Sequence, residues 1–321
     1  MSSRKTPAAS ERTHEKYERL IALAKTMPAV SAAVAHPCDE ASLAGAMEAA
    51  QAGLIVPILV GPKSKIEEVA SQHGIDLKGI EVIDVEHSHD AAMKAVEIVR
   101  SGRAEVLMKG SLHSDELLSA VTKKDTGLRT GRRISHVFIM DVPGHPETLF
   151  ITDAAVNIFP DLMAKRDIVQ NAIDLYRGLG LGTPKVAILS AVETVTISIP
   201  STLEAAALCK MADRGQITGG ILDGPLAFDN AISPEAAKIK GIKSEVAGRA
   251  NILVVPDLEA GNMLAKNLSF LSHADAAGIV LGARVPIILT SRADSVRTRT
   301  ASCAIAVAFA HSQRSKTPIR S

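Results

Sequence analysis

Aromatic side chains are nearly missing from this chain. They make up 2% of its 321 residues, with no tryptophan and only two tyrosines, so its core has to be filled by Ala, Val, Ile and Leu. Small aliphatics of that kind suit the packed layers of a helix-and-sheet protein. Cysteine is scarce as well: Cys38, Cys209 and Cys303 are odd in number and far apart. That argues against a disulfide framework and fits a reducing cytoplasm. Neither sign of charge dominates. With 36 basic and 35 acidic residues the formal net charge is +1, so no overall field invites nucleic acid or an anionic membrane, and anion binding has to come from a local site. Long hydrophobic runs are absent too. The longest helix-like one, ASCAIAVAFA at 301–310, is too short to cross a bilayer. The opening MSSRKTPAASERTHEK lacks the apolar stretch of a signal peptide, and residues 1–14 are expected to be a disordered tail.

Several motifs are missing. No P-loop and no G-x-S-x-G elbow occurs. GLGLG at 178–182 follows a helix and precedes a strand, the reverse of the dinucleotide-binding order. His36 and Cys38 flank Pro37 without a partner cluster, so no zinc site is expected. His87-Ser88-His89-Asp90 has the look of metal ligands, but it precedes a helix, and Ser88 or Asp90 as a cap is the better reading.

What is present is a regular alternation. After a helix near 14–26, strand-like AVSAAVA (29–35), LIVPILVG (54–61), GIEVID (79–84) and EVLMKG (105–110) are each followed by an amphipathic helix, the last of them capped by Ser114. This is a βαβα chain with a mostly parallel sheet. The pattern breaks at GLRTGRR, after which HVFIMDVPG and TLFITDAAV read as an antiparallel hairpin. A helix over 161–177, strand PKVAILS, a helix over 201–214, strands in GGILDGPLAFD and NILVVPD, a helix over 261–272 and a final strand PIILTS follow. At this length two domains are expected, one from 15–133 plus 283–321 and one inserted at 134–282.

Ligands of open parallel sheets sit beyond the carboxyl ends of the strands. Four such ends carry polar chemistry: Lys109-Gly110, Asp223-Gly224 with Asp229, Asp257 leading to Gly261-Asn262, and Ser291-Arg292. Ser291 can donate a hydrogen bond and the Arg292 guanidinium can grip two phosphate oxygens, while the following helix points its positive end at them. The alternatives are plain: Asp257 as an N-cap, Asp229 as a turn residue, Arg292 anchored to a surface carboxylate. Asn262 and Lys266 stand one turn apart on a helix face, and Arg129, Arg132 and Arg133 sit on the break, either clamping phosphate or simply solvated.

VLMKG (106–110), FITDAAVNIFP (150–160), ILDGPLAFDNAIS (221–233), VVPDLEAGNMLAKNLSFL (254–271) and ILTSRADS (288–295) together resemble the phosphate acetyltransferase/phosphate butyryltransferase family, with wording closer to the butyryl branch. The resemblance covers nearly all of 29–310. It implies two α/β domains of the isocitrate/isopropylmalate dehydrogenase type, with the active site in the interdomain cleft of a homodimer. It also implies reversible transfer of a short acyl group between coenzyme A and phosphate, with acyl-CoA and phosphate as substrates and no bound cofactor or metal. In that family the pair matching Ser291 and Arg292 lies in the active site, the Arg on phosphate and the Ser steadying the thiolate or the tetrahedral transition state. Lys109, Gly110, Arg129, Asp257, Gly261, Asn262 and Lys266 are the expected binding residues.

The chain departs from the family where Arg297 and Thr298 replace acidic residues, which leaves Asp294 and Asp229 as rival proton acceptors. A second active-site arginine of the acetyl branch falls at or near Leu118, and Arg129 can serve in its place. A catalytically impaired member holding coenzyme A or acyl phosphate as a sensor or scaffold is the alternative reading.

Overall fold

A computed structural model describes residues 15–289 and 295–314. The first part alternates α1 (Glu15–Lys25), β1 (Val30–Ala35), α2 (Glu40–Gln51), β2 (Ile55–Gly61), α3 (Lys63–His73), β3 (Glu81–Asp84), α4 (Ser88–Arg100), β4 (Val106–Lys109) and α5 (Ser114–Thr122). There follow β5 (Ser135–Asp141), β6 (Leu149–Thr152), α6 (Leu162–Gly178), β7 (Lys185–Leu189), α7 (Pro200–Asp213), β8 (Ile221–Leu226), α8 (Phe228–Ile232), α9 (Pro234–Ile239) and β9 (Ile252–Val254). The chain then runs through α10 (Leu258–Leu271), β10 (Asp275–Leu281), β11 (Ile287–Ile288) and α11 (Val296–Arg314).

All the described strands join one 11-stranded sheet in the order β3-β2-β1-β4-β11-β10-β5-β6-β9-β7-β8. Strands β1 to β4 and β11 run parallel. So do β6 to β9. Between these blocks β10 is antiparallel to both β11 and β5, and β5 is antiparallel to β6, the hairpin expected from sequence. The central strand β10 was not expected. Its first half, Asp-Ala-Ala-Gly, is made of residues that strands disfavour, and tertiary pairing overrides that weak signal. Two capping expectations also change. His113 and His87 occupy the N-cap positions of α5 and α4 without side-chain caps, Ser114 is already helical, and Ser88 Oγ donates to Glu116 at 2.6 Å instead.

The sheet is covered differently on its two faces. On one face α1, α2, α3, α6, α7 and α11 share a single apolar cluster that runs under both parallel blocks, including Met108, Val137, Phe150, Val186 and Ile305. On the other face the apolar residues separate into two clusters. One packs α4 and α5 on β1, β2, β4 and β11. The other packs α8, α9 and α10 on the β6–β9 block. Between them, over β10 and β5, lie Gly278 and His136, with Phe138 packed against the second cluster.

One of the two tyrosines fastens the first helix to this middle. Tyr17 is fully buried, and its hydroxyl donates to the Ile139 carbonyl of β5 while accepting the Ala277 N–H of β10. Beside it, Lys16 Nζ pairs with the buried Asp141 at 2.9 Å and donates to Val142 O at 2.7 Å. Tyr17→Phe strands a buried amide, which costs about 1–3 kcal/mol. We expect a lower urea midpoint with an unchanged denaturant slope, and an unmoved midpoint would show the hydroxyl to be dispensable.

Candidate active site

The floor of the gap between the two clusters is built by β10 and β5. Gly278 lies where a Cβ would come 2.7 Å from His136 Nε2, so any larger residue collides with the imidazole. His136 is 2% exposed, packs edge-on against Phe138, and its Nδ1 is buried with no hydrogen-bond partner among the described residues. Burial drives its pKa from 6.5 down to about 4, with the nearby Asp153 carboxylate pulling the other way. The sequence reading missed this residue. The available signal was a titratable side chain at an inward position of an otherwise apolar strand.

One wall is formed by the turn after β6 and the start of α10. Asp153 Oδ1 accepts the amides of Ala155 and Val156 at 2.9 and 3.0 Å, and its Oδ2 accepts Asn157 Nδ2 at 2.6 Å. Asn157 then accepts from Arg133 Nε at 2.7 Å. Asn262 Nδ2 donates to Ala154 O at 3.3 Å, which ties α10 to the same turn. Gly261 permits that approach, since its Cβ would lie 2.7 Å from Val255 Cγ2 and 2.8 Å from Ala154 Cβ. Asp257 is the N-cap of α10, accepting from Ala260 N at 2.9 Å, and Lys266 stands exposed on the helix. Gly261→Ala should pry α10 away from the turn, at a cost of about 1–3 kcal/mol for overpacking. A thermal melt checks this, and an unchanged melting temperature would mean that the turn gives way freely.

At the amino end of β5 the gap opens into a cavity of about 500 Å³ whose lining includes Leu118, Arg129, Arg132, Arg133, Asn157 and Arg166. Three of these arginines are committed. Arg132 pairs with Asp174 at 2.6 Å, Arg133 with Asn157, and Arg166 with Asp167 at 2.7 Å. Arg129 is exposed and has no side-chain hydrogen bond or ion pair among the described residues. Its backbone is nonetheless fixed. It bridges Ala283, Arg284 N donates to Leu128 O at 2.9 Å, and Thr130 Oγ1 donates to Gly282 O at 2.6 Å. Arg129 thus lines the same cavity as Leu118.

Lys109 and Gly110 lie toward the other end of the central strands. The parallel register Ile288↔Met108 sets Lys109 beside Leu289. Lys109 Nζ donates to Gly110 O and Leu112 O at 3.2 and 3.1 Å, a structural use of the amine. Gly110 is forced sterically, with a Cβ falling 2.4 Å from Ala35 O.

Ser291, Arg292 and Asp294 lie outside the described residues. On their far side Ser295 Oγ accepts the Thr298 amide at 3.1 Å and caps α11. Arg297 turns to Glu18 of α1 at 3.3 Å, and Thr298 Oγ1 accepts from Ser295 Oγ at 3.1 Å. Asp229 is exposed on α8, beyond the edge strand β8. Six strand spacings separate β8 from β11, about 29 Å at roughly 4.8 Å each. The structure therefore does not bring Asp229 together with the end of β11 within one chain. The reason is the extra strand pair in the middle, which widens the sheet. No cluster of metal-ligating side chains occurs among the described residues.

This groove, with its arginine-lined end, belongs to a chain that matches the family model described as "Phosphate acetyl/butaryl transferase" over residues 86–307. The chain is 72% identical to a phosphate acetyltransferase of Rhizobium meliloti over 93% of its own length and 95% of the relative's. It is 42% identical to a phosphate butyryltransferase of Clostridium beijerinckii over 92% of its length and 98% of the relative's. A branched-chain phosphotransacylase from Enterococcus faecalis superposes with a TM-score of 0.77 at 29% identity, covering 88% of this chain and 99% of that one. The chain belongs to the phosphate acetyl/butyryltransferase family. Although TDAAVNI and DGPLAFD suggest the butyryl branch, the more similar of these two relatives carries the acetyl name.

Because His136 stays neutral in the folded state down to about pH 4, whereas an unfolded histidine titrates near 6.5, the unfolded chain binds the extra proton between those values. Stability then rises with pH through that window, by at most about 1.4 kcal/mol per unit from this group, and is level above it. Urea unfolding of wild type and His136→Gln across the window checks this. The variant should show a shallower slope, and identical slopes would sink the assignment.

Proposed function

We propose that this chain transfers a short acyl group, acetyl foremost, between coenzyme A and inorganic phosphate. The observation that carries the reading is the 72% identity to a phosphate acetyltransferase across almost the whole chain. An uncommitted Arg129 in a cavity otherwise stabilised by paired arginines supports it. The gap over β10 and β5 is the interdomain cleft, between a domain of 15–133 plus 283–321 and one of 134–282. A 4-hydroxythreonine-4-phosphate dehydrogenase from Klebsiella pneumoniae, with a TM-score of 0.53 at 12% identity, is similar in fold alone and agrees with a dehydrogenase-like architecture.

In the forward step a phosphate oxygen attacks the thioester carbonyl carbon, the C–O bond forms, and the C–S bond breaks from a tetrahedral intermediate. The thiolate leaves and takes a proton. Arg292 and Arg129 hold the phosphate, Ser291 donates to the developing negative charge, and Asp294 exchanges the proton. Lys109 and Gly110 shape one lip of the cleft, and Asp257, Gly261, Asn262 and Lys266 the other. The reaction as written needs no cofactor beyond its two substrates. A homodimer is favoured by apolar side chains that stand out from α10, among them Met263 and Phe270, the latter 78% exposed. No described helix is long and apolar enough to cross a membrane, in keeping with a cytoplasmic enzyme.

The test is phosphate-dependent thiol release from acetyl-CoA and butyryl-CoA. Acetyl-CoA should be the better substrate. Arg292→Ala and Arg129→Ala should each lower kcat/KM for phosphate about 10- to 100-fold, the loss of one charge-assisted contact. No release with any short acyl-CoA would overturn the activity. Unchanged phosphate kinetics in the variants would overturn the roles of the two arginines.

A further inference from the structure

The floor of the groove carries one polar side chain that the acyl-transfer steps do not use. His136 is 2% exposed, and neither of its ring nitrogens has a hydrogen-bond partner among the described residues. Buried polar groups are nearly always hydrogen-bonded, so an imidazole left without a partner calls for an explanation. Its neighbours supply none: Val280 faces it from β10, and Phe138 stands edge-on with ring centroids 4.4 Å apart.

The direction of the ring is set by a glycine. Nε2 stands 2.7 Å and Cε1 3.2 Å from the point a Gly278 Cβ would occupy, so the imidazole tip lies in the space the missing side chain leaves. Leu289 O is 3.6 Å from that same point. The register Ile279↔Ile288, carried one residue further, sets Leu289 opposite Gly278. Nε2 therefore reaches from β5 across β10 toward the carboxyl end of β11, the strand that leads in sequence to Ser291 and Arg292. On the other side Ile134, two residues before His136, lines the arginine-rich cavity that holds Arg129. The ring stands between that anion cavity and the end of β11.

A neutral imidazole carries one N–H. Burial keeps this ring neutral, with its pKa held at about 4, although the Asp153 carboxylate pulls the other way. Buried N–H groups are left orphaned less often than acceptors, which puts the proton on Nε2 and leaves Nδ1 as the enclosed acceptor. The backbone is fixed as well, since Thr152 Oγ1 donates to His136 O at 2.8 Å. The result is a rigid, uncharged donor in an apolar floor. Phosphate is better met by guanidinium groups. A thioester oxygen is neutral until attack and negative afterwards, so a prearranged donor favours the later state. Resting on the acyl-transfer reading above, we propose that His136 is a catalytic residue whose Nε2–H donates to the carbonyl oxygen of the acyl group, with Gly278 kept small so that the ring can lie across it. The imidazole keeps its proton throughout, and the bonds made and broken are those of the forward step already given.

The experiment joins kinetics to a direct reading of the carbonyl, using the full-length enzyme. In phosphate-dependent thiol release from acetyl-CoA, His136→Phe keeps a ring and loses the donor. It should lower kcat about 100-fold while KM for phosphate stays within about twofold. His136→Gln, whose amide nitrogen can take the place of Nε2, should hold kcat within about tenfold of wild type. Gly278→Ala, which drives the ring aside, should lose kcat as His136→Phe does. A merely structural histidine predicts equal losses in the Phe and Gln variants, and that result overturns the proposal. Infrared difference spectra of acetyl-CoA labelled with carbon-13 at the carbonyl, bound without phosphate, give the second readout. The C=O stretch should move to lower wavenumber on binding wild type, and most of that shift should be absent with His136→Phe. A kcat for His136→Phe within about threefold of wild type, or a carbonyl shift that survives in it, also overturns the proposal. If His136→Phe does not fold, Gly278→Ala takes its place in the spectral comparison. If wild type releases no thiol from any short acyl-CoA, the parent reading fails, and the spectra still decide the donor: no carbonyl shift in wild type overturns it.

Discussion

Two blocks of parallel strands cannot share one sheet in opposite directions unless something between them turns the polarity over. In this chain β10 and β5 do so, and the rest of the molecule is arranged around that antiparallel pair. Reversal sends the helices following β4 and β9 to the same face but on either side of the middle, and the apolar packing on that face is interrupted there. Gly278 and His136 lie buried beneath that interruption. Their burial chemistry, a missing Cβ and an imidazole kept neutral, follows from lying under it. Tyr17 locks the reversal from the opposite side by bonding both strands with one hydroxyl.

Around the gap, committed and uncommitted charges are sorted by non-local contacts. The break GLRTGRR holds three arginines, and sequence alone leaves them equivalent. Folding separates them, because the partners of Arg132 and Arg133 lie on α6 and in the turn after β6, tens of residues away. What remains is Arg129 on a backbone pinned to the β10–β11 connection. A guanidinium on a fixed backbone has less freedom to lose when an anion arrives, which favours binding.

Legibility followed the range of the interactions. The strand–helix alternation, the β5–β6 hairpin and the Asp257 cap depend on neighbours a few residues apart, and all were readable. Strand β10 was not, since Asp-Ala-Ala-Gly owes its extended form to β5 and β11 on either side. The union of all strands in one sheet was equally hidden, because no local pattern records which strands pair across long separations. The same applies to Asp229. Its motif sits in line with the other strand ends in sequence, yet β8 is the outermost strand and carries it far from β11. The phosphate-binding roles expected of Ser291 and Arg292 were read from residue chemistry and the family resemblance, and both residues lie outside the described ones.

The uneven covering of the sheet has a mechanical consequence. Beneath the floor, α1, α6 and α11 form one close-packed layer joined across both halves, while above it the walls do not touch through any shared apolar cluster. A sheet covered in this way is stiffer on the side of the continuous layer than on the groove side, because only the former is packed without a break from one parallel block to the other.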